Sequence, residues 1–573
     1  MSTSLFPLPR RCAVAFLLAA AAFGQAPPEI VARIADEASE EKSRVMDHLS
    51  ELCLGIGPRL TGSQNLVKAS EWAAQKFLSY GLSVRLDKWT DVETGFDRGV
   101  HTGFAFWSDA TESRPAEGGR RRRGFGGDGQ RGRRLVFGTD AWTGGTDGLK
   151  TGPALRVPED ESGLAALRES ARGAWLVRVA GSLDSRSKAL TDFIAETGAY
   201  GVVSASPGGE LIRTGGRLRT KWEERSPLVR INLHGDDHKH VADLLTAGRE
   251  VVLAFDVQNR YRQGPVPAYN VVAELRGVEK PEELVIVGGH LDSWDGAMGT
   301  TDNGTGVATT IEAARLLTTA GARPKRTIRF MLWSGEEQGL LGSRDYIKRH
   351  PEENDRISAV LVHDGGTNYV SGIQATAAMA DDMARVFRPA TTLNPAFPFA
   401  VHPVDRLPSG IGSDHDSYVS VGVPGFFWSQ SGRANYTYTH HTQNDVLAAA
   451  VPEYQRHTSA VVAIGALGIA DLPEKLSRVA PERVVAERPN VLRGRVLGFN
   501  SASDAPVIET LSEDGLAVRH GFKVGDRIVK IDGKPVKTLE EFRSELQLGE
   551  PLKKFGVLRA DSEIEIAVDF SGR

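Results

Sequence analysis

The feature that most constrains the fold is a short apolar run at residues 284–287, Leu-Val-Ile-Val, followed by two glycines and His290. A β-branched run of this length predicts a parallel strand that is buried on both faces. The glycines end the run, so His290 lies just past the carboxyl end of the strand, where open α/β sheets bind their ligands. A loop then reaches Asp302, and an apolar-periodic helix is predicted over 306–317. This strand–loop–helix unit predicts an α/β fold, and an imidazole paired with a carboxylate suits a borderline metal such as zinc.

Clusters of metal-ligating residue types recur later in the chain. They are Glu336–Glu337 after the strand pattern 327–333, His363–Asp364 after the strand pattern 359–362, and His440–His441 in a loop. A single carboxylate at a strand end is more often a helix cap or a turn former than a metal ligand. Because the carboxyl ends of parallel strands meet at one edge of a sheet, we interpret the ordered clusters as parts of one metal site.

Five segments of this region resemble a known family. They read His-Leu-Asp-Ser-Trp-Asp at 290–295, Ala-Met-Gly-Thr-Thr-Asp-Asn-Gly at 297–304, Pro-Lys-Arg-Thr-Ile-Arg at 324–329, Trp-Ser-Gly-Glu-Glu-Gln-Gly at 333–339 and His-His-Thr at 440–442. Over residues 45–110 and 265–470 the chain resembles the zinc-dependent exopeptidases that include the leucyl-type aminopeptidases and the glutamate carboxypeptidases. It is most similar to the plasma glutamate carboxypeptidase (carboxypeptidase Q) type. The resemblance implies a phosphorylase/hydrolase-like α/β fold, in which helices sandwich a mixed, mostly parallel sheet.

The resemblance also implies two zinc ions. The implied ligands are His290 and Asp364 for one ion, Glu337 and His441 for the other, and Asp302 as the bridge between them. His441 is preferred to His440 because the family's ligand directly precedes a Ser or Thr, as His441 precedes Thr442. A cis peptide bond between Asp302 and Asn303 is expected, with Asn in the place of the family's usual Asp.

Three further residues receive catalytic roles. Glu336, which is adjacent to a ligand, would be the general base. Asp292 is placed to accept the imidazole N–H of His290 and so to fix its tautomer. His440 stands where relatives can carry a Tyr that stabilises the tetrahedral intermediate, and an imidazolium could do the same.

The chain of 573 residues is long enough for several domains. The predicted segments are a signal peptide at 1–24, a catalytic domain at 25–134 and 263–475, a protease-associated insert at 135–262, a linker at 476–485 and a PDZ-like domain at 486–573. An Arg pair followed by a short apolar stretch is typical of a secretory signal, whereas the alternative, a membrane anchor, would need a longer span. We therefore expect a secreted or periplasmic protein without a stable membrane anchor. Only Cys53 would remain after cleavage, which excludes an internal disulfide.

The region after the signal-like stretch predicts helices. Residues 29–54 show an amphipathic pattern typical of a helix. The glycines and the proline of 55–63 break this pattern, and Ser63 is predicted to cap a second helix over 64–80.

The insert and the C-terminal region show their own secondary-structure patterns. Strands are predicted at 175–179 and 202–204 of the insert with a helix over 189–198, and the insert would either line the cleft or act only as a spacer. A strand, an Asp-Gly turn and a second strand over 527–536, with a helix over 539–546, resemble a PDZ domain. Such domains capture extended C-terminal peptides, so the expected ligand is a C-terminal peptide of a substrate or a partner, with binding to the protein's own catalytic domain as the alternative.

The net charge of −4 argues against a dedicated nucleic-acid binder. The basic, low-complexity stretch 113–134 is of a kind that can bind single strands, but a solvated, disordered surface loop is the preferred interpretation. No nucleic-acid partner is predicted.

Substrate contacts are predicted near a polar, glycine-rich loop at 408–416, between the last two metal clusters. The candidates are Ser413 and Asp414 in the loop, with Arg406 and Asn435 as residues that would grip a substrate terminus. Arg59 is a further candidate, although a structural role in a turn is the favoured alternative.

The predicted function is a secreted or periplasmic di-zinc exopeptidase that acts on peptide substrates. Aminopeptidase activity is preferred, and carboxypeptidase or dipeptidase activity is the alternative. A non-catalytic binding protein on the same fold is disfavoured, because all five implied ligands and Glu336 are present. The sequence makes no prediction of the oligomeric state.

Overall fold

The computed structural model divides into two compact units, Met1–Val479 and Ala480–Arg573. The structure describes residues 25–108, 130–219, 221–478, 497, 499–500, 505–511, 516–547, 550, 552–560 and 562–570. The predicted signal peptide, residues 109–129 with most of the Arg/Gly-rich loop, and the predicted linker from residue 479 onward lie outside the described residues.

The centre of the first unit is a set of parallel strands. In sheet order they are Gly425–Phe427, Ile357–Val362, Lys280–His290 and Arg326–Trp333. In the Lys280–His290 strand, hereafter the His290 strand, Val285 pairs with Ile328 on one side and Ala359 on the other. The strand is buried from Leu284 onward. A strand covered on both faces needs an unbroken apolar run, which explains the pattern in the sequence.

Two long antiparallel strands, Ser83–Ser108 and Val251–Leu275, continue this sheet into the insert. At one end Ala273 pairs with Phe330 of the parallel set. At the other end Leu253 of the same strand pairs with Gly152. The catalytic part and the insert therefore share one sheet inside a single compact unit.

The insert contains a second set of parallel strands. Its strands are Lys150–Arg156, Trp175–Val177, Gly201–Ala205 and Val229–Leu233, with Phe137–Gly138 antiparallel at the edge and Gln130–Arg134 paired to Ser83–Ser108. Its helices are Leu164–Leu167, Lys188–Thr197 and Gly235–Thr246. The predicted helix over 189–198 is the helix Lys188–Thr197, and it ends where Gly198 takes a left-handed conformation with φ 75°. The predicted outer boundaries of the insert stay a prediction.

Helices cover both faces of the catalytic sheet. One face packs against Gln64–Ser79, Thr305–Thr319 and Pro452–Ala470. The helices Pro28–Glu37, Val45–Ser50 and Ala380–Thr391 pack on this layer from outside. The other face packs against Leu341–Arg349 and His415–Val419, through Tyr346 and Tyr418. The unit also contains a small sheet, formed by Tyr369–Thr376, Ala400–Val404 and Ser429–Ser431. Its short helical turns are Glu51–Ile56, Glu161–Gly163, Trp222–Glu224, Thr300–Gly304, Pro351–Arg356, Tyr436–Thr439 and Leu447–Ala449. This architecture confirms the predicted helix-sandwiched, mostly parallel α/β fold.

The N-terminal helices differ from the sequence pattern. A single amphipathic helix over 29–54 is predicted, but the chain leaves the helix after Glu37 and resumes at Val45. The reason is Glu312, whose Oε1 accepts hydrogen bonds from the Ser43 hydroxyl and the Arg44 N–H at 2.9 Å each, so the connecting segment is bonded across the core. Farther along, the predicted Ser63 cap is confirmed by a 3.1 Å bond from Leu66 N–H to Ser63 Oγ.

The described part of the chain contains no helix with both the length and the apolar composition required to cross a membrane. Cys53 is a buried free thiol, as the cysteine count predicts.

The second unit is a small β domain around its own core. In sheet order, its strands are Lys534–Pro535, Arg527–Ile531, Leu552–Arg559 and Ser562–Asp569. A separate pair of strands joins Phe499–Asn500 to Thr510–Leu511, and the helices are Leu516–Arg519 and Leu539–Gln547. The predicted Asp-Gly turn is present, with positive φ at Asp532 and Gly533, as this tight hairpin requires.

Candidate metal centre

The predicted clusters meet at one edge of the catalytic sheet. His290 is the last residue of its strand, and the two neighbouring parallel strands end at Trp333 and Val362. Glu336, Glu337 and Asp364 follow those ends directly, while His440 and His441 enter from a loop after the helix Tyr436–Thr439. Because the three strands are parallel, their carboxyl ends lie side by side and bring these residues together.

Asp302 lies between two histidines, and each of its carboxylate oxygens faces one of them. Oδ1 is 3.2 Å from His290 Nε2, and Oδ2 is 3.0 Å from His441 Nε2. The side chain is buried, and among the described residues only the imidazoles of His441 and His440 approach Oδ2. A buried carboxylate is costly unless a cation compensates its charge. The position suits a carboxylate that binds two metal ions at once.

The outer ligands complete two groups that share Asp302. Asp364 Oδ1 is 3.1 Å from His290 Nε2, and Glu337 Oε2 is 2.9 Å from His441 Nε2. In the group His290–Asp302–Asp364 and in the group Asp302–His440–His441, all ligand atoms lie within 4.8 Å of one another. His440 Nε2 is farther from Asp302 Oδ2 than His441 Nε2 is, at 3.7 Å. This difference favours His441 as the inner ligand.

The centre attracts positive charge. Within the described residues, Asp302, Glu336, Glu337 and Asp364 form ion pairs with histidines only, and none of them reaches a Lys or Arg. Burial lowers the pKa of His441, but Asp302 and Glu337 outweigh it and raise the pKa to about 10. Burial and then the charge of Asp302 raise the pKa of Glu337 to about 7. Imidazole nitrogens and carboxylate oxygens gathered around excess negative charge fit zinc.

Asp445 holds the backbone of the Asp302 segment. Its carboxylate accepts the Thr301 N–H at 2.5 Å, the Thr301 hydroxyl at 2.8 Å and the Asp302 N–H at 3.3 Å. The expected cis peptide bond between Asp302 and Asn303 is present. The sequence analysis missed Asp445, because an acid four residues after His441 has no distinguishing local pattern.

Asp292 contacts two parts of the centre. His290 Nδ1 lies 3.0 Å from the Asp292 carbonyl oxygen and 3.6 Å from its carboxylate Oδ1, so the imidazole proton faces Asp292 and Nε2 faces Asp302. The Asp292 carboxylate also accepts the N–H groups of Glu336 and Glu337, each at 3.2 Å. Asp292 therefore holds the first histidine through its main-chain carbonyl and the loop of the adjacent strand through its carboxylate.

Glu336 approaches the centre but stays farther away than the ligands. Its Oε2 is 3.9 Å from His290 Nε2, and burial raises its pKa well above the ordinary value. A second residue missed by the sequence analysis, Tyr436, stacks its ring 4.9 Å from that of His440. Burial, followed by the charges of Asp302 and Asp364, raises the pKa of the Tyr436 phenol well above its ordinary range.

The four predicted substrate contacts do not gather at one surface. Ser413 and Asp414 are 2% and 0% exposed, so a substrate would reach them only if their loop moved. Burial raises the pKa of Asp414 to about 7. Arg406 and Asn435 are exposed, and Asn435 lines a cavity of about 390 Å³ whose wall includes Thr301, next to Asp302.

Arg59 is a structural residue of the centre. It is fully buried, and its guanidinium donates to the carbonyls of Leu291 at 2.7 Å, Met298 at 3.0 Å and Gly299 at 2.8 Å. These bonds fix the loop between His290 and Asp302, in agreement with the favoured structural role.

The insert touches the loop that carries His441. Thr214 N–H donates to the His441 carbonyl at 2.8 Å, and Arg213 donates to the His440 carbonyl at 3.2 Å. The Gln443 side chain accepts the Ile212 N–H at 2.7 Å. His441 itself has φ 56°, a conformation that a non-glycine residue keeps only when its surroundings impose it.

Comparison with known proteins agrees with this site. Residues 270–464 match Peptidase family M28, and residues 507–555 match the PDZ domain. Carboxypeptidase Q of Mus musculus is 27% identical over 458 residues, which cover 76% of this chain and 88% of that protein. An aminopeptidase of Pseudomonas aeruginosa is 45% identical over 104 residues, covering 18% of this chain and 19% of that protein. The crystal structure of a Peptidase M28 precursor from Shewanella amazonensis superposes with a TM-score of 0.56 at 25% identity, over 79% of this chain and 99% of that one.

Proposed function

We propose that this chain, which matches Peptidase family M28 over residues 270–464 and the PDZ domain over residues 507–555, is a di-zinc exopeptidase. The residues that would hold the ions are His290 and Asp364 for the first, Glu337 and His441 for the second, and Asp302 for both. The observation that carries the proposal is the position of Asp302, whose two oxygens each face the Nε2 of a different histidine.

The protein side chains supply the proton transfers. Zinc, when bound, acts as a Lewis acid on the scissile carbonyl and lowers the pKa of water. Glu336 takes the proton of the attacking water and passes it to the leaving amine as the C–N bond breaks. The main-chain N–H of Glu336 donates a hydrogen bond to the Asp292 carboxylate, and this bond keeps the base close to His290. His440, which lies near Asp302, and Tyr436, which packs against His440, would donate a hydrogen bond to the oxyanion that develops on the carbonyl.

The terminus that the enzyme recognises separates two versions of the proposal. Aminopeptidase activity follows from the sequence analysis. Carboxypeptidase or dipeptidase activity is favoured by the relative that matches over most of its length, which is named Carboxypeptidase Q. In either version, a non-catalytic binding protein is disfavoured because Glu336 and the five ligands lie around one centre.

The accessory parts receive proposals of their own. The insert would act as a protease-associated domain beside the cleft, in line with its hydrogen bonds to the loop of His440 and His441. The PDZ domain would capture an extended C-terminal peptide. Export to the periplasm or the exterior is proposed from the signal-like residues 1–24 alone.

The test combines a metal count with a set of matched dipeptides. Purified full-length protein is loaded with zinc, and bound metal is counted by elemental analysis, with two ions per chain expected. Hydrolysis of a free dipeptide is then compared with that of its N-acetylated and C-amidated forms. An aminopeptidase cleaves the amide but not the acetylated form, and a carboxypeptidase shows the reverse. A saturating count of one zinc, or no cleavage of any form by the loaded protein, would contradict the proposal.

A further inference from the structure

The insert contains a cavity of about 810 Å³ at the carboxyl ends of its parallel strands. Arg178 follows the strand Trp175–Val177 directly, while Ala205 and Asn232 lie at the ends of the next two strands along the sheet. The arginines that line the cavity are Arg178, Arg186, Arg213, Arg217, Arg219 and Arg230. The acids in the lining are Asp140 and Asp184, so six cations face two anions and the lining carries a net charge of +4. We name this space the arginine cavity.

Much of the hydrogen-bonding capacity of these guanidinium groups is unused. Within the described residues, Arg217 and Arg219 make no hydrogen bond and no ion pair. Arg178 and Arg213 donate to main-chain carbonyls. Because a carbonyl carries no net charge, these bonds do not neutralise the positive charge of the two guanidinium groups. Asp140 is 3.9 Å from Arg186 and also accepts from Asn232 at 2.9 Å. A guanidinium presents several N–H donors in a fixed plane, which matches the two oxygens of a carboxylate.

The arginine cavity adjoins the candidate metal centre. Thr214 lines it and also lines the narrow gap beside Asp302, Glu337 and His441. On another side, Trp142 of the cavity wall packs edge-on against Trp294 at 6.1 Å, and Trp294 packs against His441 at 6.1 Å. The arginine cavity and the candidate metal centre therefore share part of their lining.

We propose that the arginine cavity binds carboxylate groups of the peptide substrate, so that the enzyme prefers acidic peptides. The inference rests on the proposed exopeptidase function and names its substrate class. Bidentate contacts of Arg217 and Arg219 with acidic side chains would supply the affinity. Basic peptides would be rejected, since their charge would face an uncompensated positive wall.

The first measurement is binding without turnover. Metal-free, full-length protein is titrated calorimetrically with the peptide Ala-Glu-Glu-Ala and with its uncharged isostere Ala-Gln-Gln-Ala. We expect the acidic peptide to bind at least about tenfold more tightly, which corresponds to one or more charge-assisted hydrogen bonds. The Arg217→Gln/Arg219→Gln variant should remove this difference. The matched control is Arg172→Gln, which removes the same charge from an exposed position of the insert that does not line the cavity.

The second measurement is hydrolysis of the same peptides by the zinc-loaded proteins. The preference for the acidic peptide should appear mainly in KM and should fall about tenfold in the double variant, while hydrolysis of the isostere stays within about twofold of the wild type. Equal binding and hydrolysis of the two peptides by the wild type would overturn the inference and leave the proposed function intact. Sulfate and free glutamate are tested as competitors of the acidic peptide. If inorganic sulfate displaced the peptide as effectively as glutamate does, the inference would also be overturned, because the cavity would then bind any anion and not carboxylates of peptides in particular. Preferential binding of the acidic peptide without any hydrolysis would support the cavity and overturn the proposed function.

Discussion

The catalytic part and the insert of the first unit both place functional groups at the carboxyl ends of parallel strands, but with opposite charge. In the catalytic part, Glu336, Glu337 and Asp364 follow the ends of the two strands that flank the His290 strand. In the insert, Arg178 follows the strand Trp175–Val177, and the adjacent strand ends beside the same cavity. The backbone geometry that creates a site is the same at both places. The residues at the strand ends decide whether the site attracts a cation or an anion.

The two sites also differ in how deeply their side chains lie. The side chains of Asp302 and Glu337 are 5% and 2% exposed and are fixed by neighbours. Arg217 is exposed, and Arg219 is half-buried. A metal ion binds more tightly to ligands that are already desolvated and fixed in position. A peptide-binding site must instead stay accessible, because the peptide has to enter and leave.

Replacement of the shared ligand should abolish the metal centre and leave the arginine cavity intact. We expect Asp302→Ala to lose both zinc ions together, because each of its oxygens faces a different histidine. Activity should fall to background, while the affinity of the metal-free variant for Ala-Glu-Glu-Ala should match that of metal-free wild type. Elemental analysis and calorimetry check the two parts. The matched control, Asp364→Ala, should lose only one ion, and a normal zinc count in Asp302→Ala would break the comparison.

Removal of the general base should affect chemistry without affecting either binding site. Glu336→Gln should keep two zinc ions and lower kcat by roughly 100- to 10,000-fold, the usual contribution of a general base. KM for the acidic peptide should change little, since the arginines are untouched. Steady-state kinetics with a metal count measures this effect. Near-normal turnover would remove Glu336 from its proposed role.

Acid should destabilise the catalytic part through a buried carboxylate. Burial raises the pKa of Glu312, but hydrogen bonds from His48 and Arg315 outweigh it and lower the pKa to about 2, against an ordinary value of 4.5. A lowered carboxyl pKa stabilises the fold above pH 4.5, and this stability is lost as the pH falls from 4.5 towards about 2. We expect Glu312→Gln to lose roughly 2–3 kcal/mol at pH 7 and much less at pH 3.

The check is thermal unfolding of the metal-free wild type and variant at both pH values. The matched control lies in the insert, where Glu196 pairs with Arg168 at 3.0 Å with both side chains more than half exposed. Glu196→Gln should change stability little at either pH, because exposed ion pairs contribute little. Equal losses in the two variants would show that burial does not distinguish the two parts.

The contact between the two parts should tune the metal centre. Gln443→Ala removes the hydrogen bonds from Ile212 N–H and to the Glu210 carbonyl, which join the insert to the His441 loop. Residues that hydrogen-bond to metal ligands typically contribute 10- to 100-fold to metal affinity. We expect zinc binding to weaken about tenfold, the lower limit of this range, because Gln443 contacts the loop and not the ligand itself. Competition with a metal chelator measures it. Gln374→Ala, which loses one bond in the small sheet, serves as the control and should bind zinc normally.

Much of the catalytic part follows from local patterns. The apolar run at 284–287 predicts the buried strand, and the residue clusters together with the family resemblance predict the five candidate ligands that the structure brings together. The Asp-Gly turn of the C-terminal unit is equally local. The single helix predicted over 29–54 was wrong because a residue far along the chain, Glu312, binds the segment that interrupts it.

The residue types of the candidate ligands, and the position of His290, Glu337 and Asp364 at strand ends, follow from local sequence, because strand periodicity is set by neighbouring residues. Packing in three dimensions settles which groups support them: Asp445 on the backbone of Asp302, Tyr436 beside His440, and the insert against the loop of His441. The same is true of the arginine cavity, whose lining is spread over residues 140–232 without a repeating pattern. Contacts between distant loops depend on how whole layers pack, and no local spacing encodes that packing.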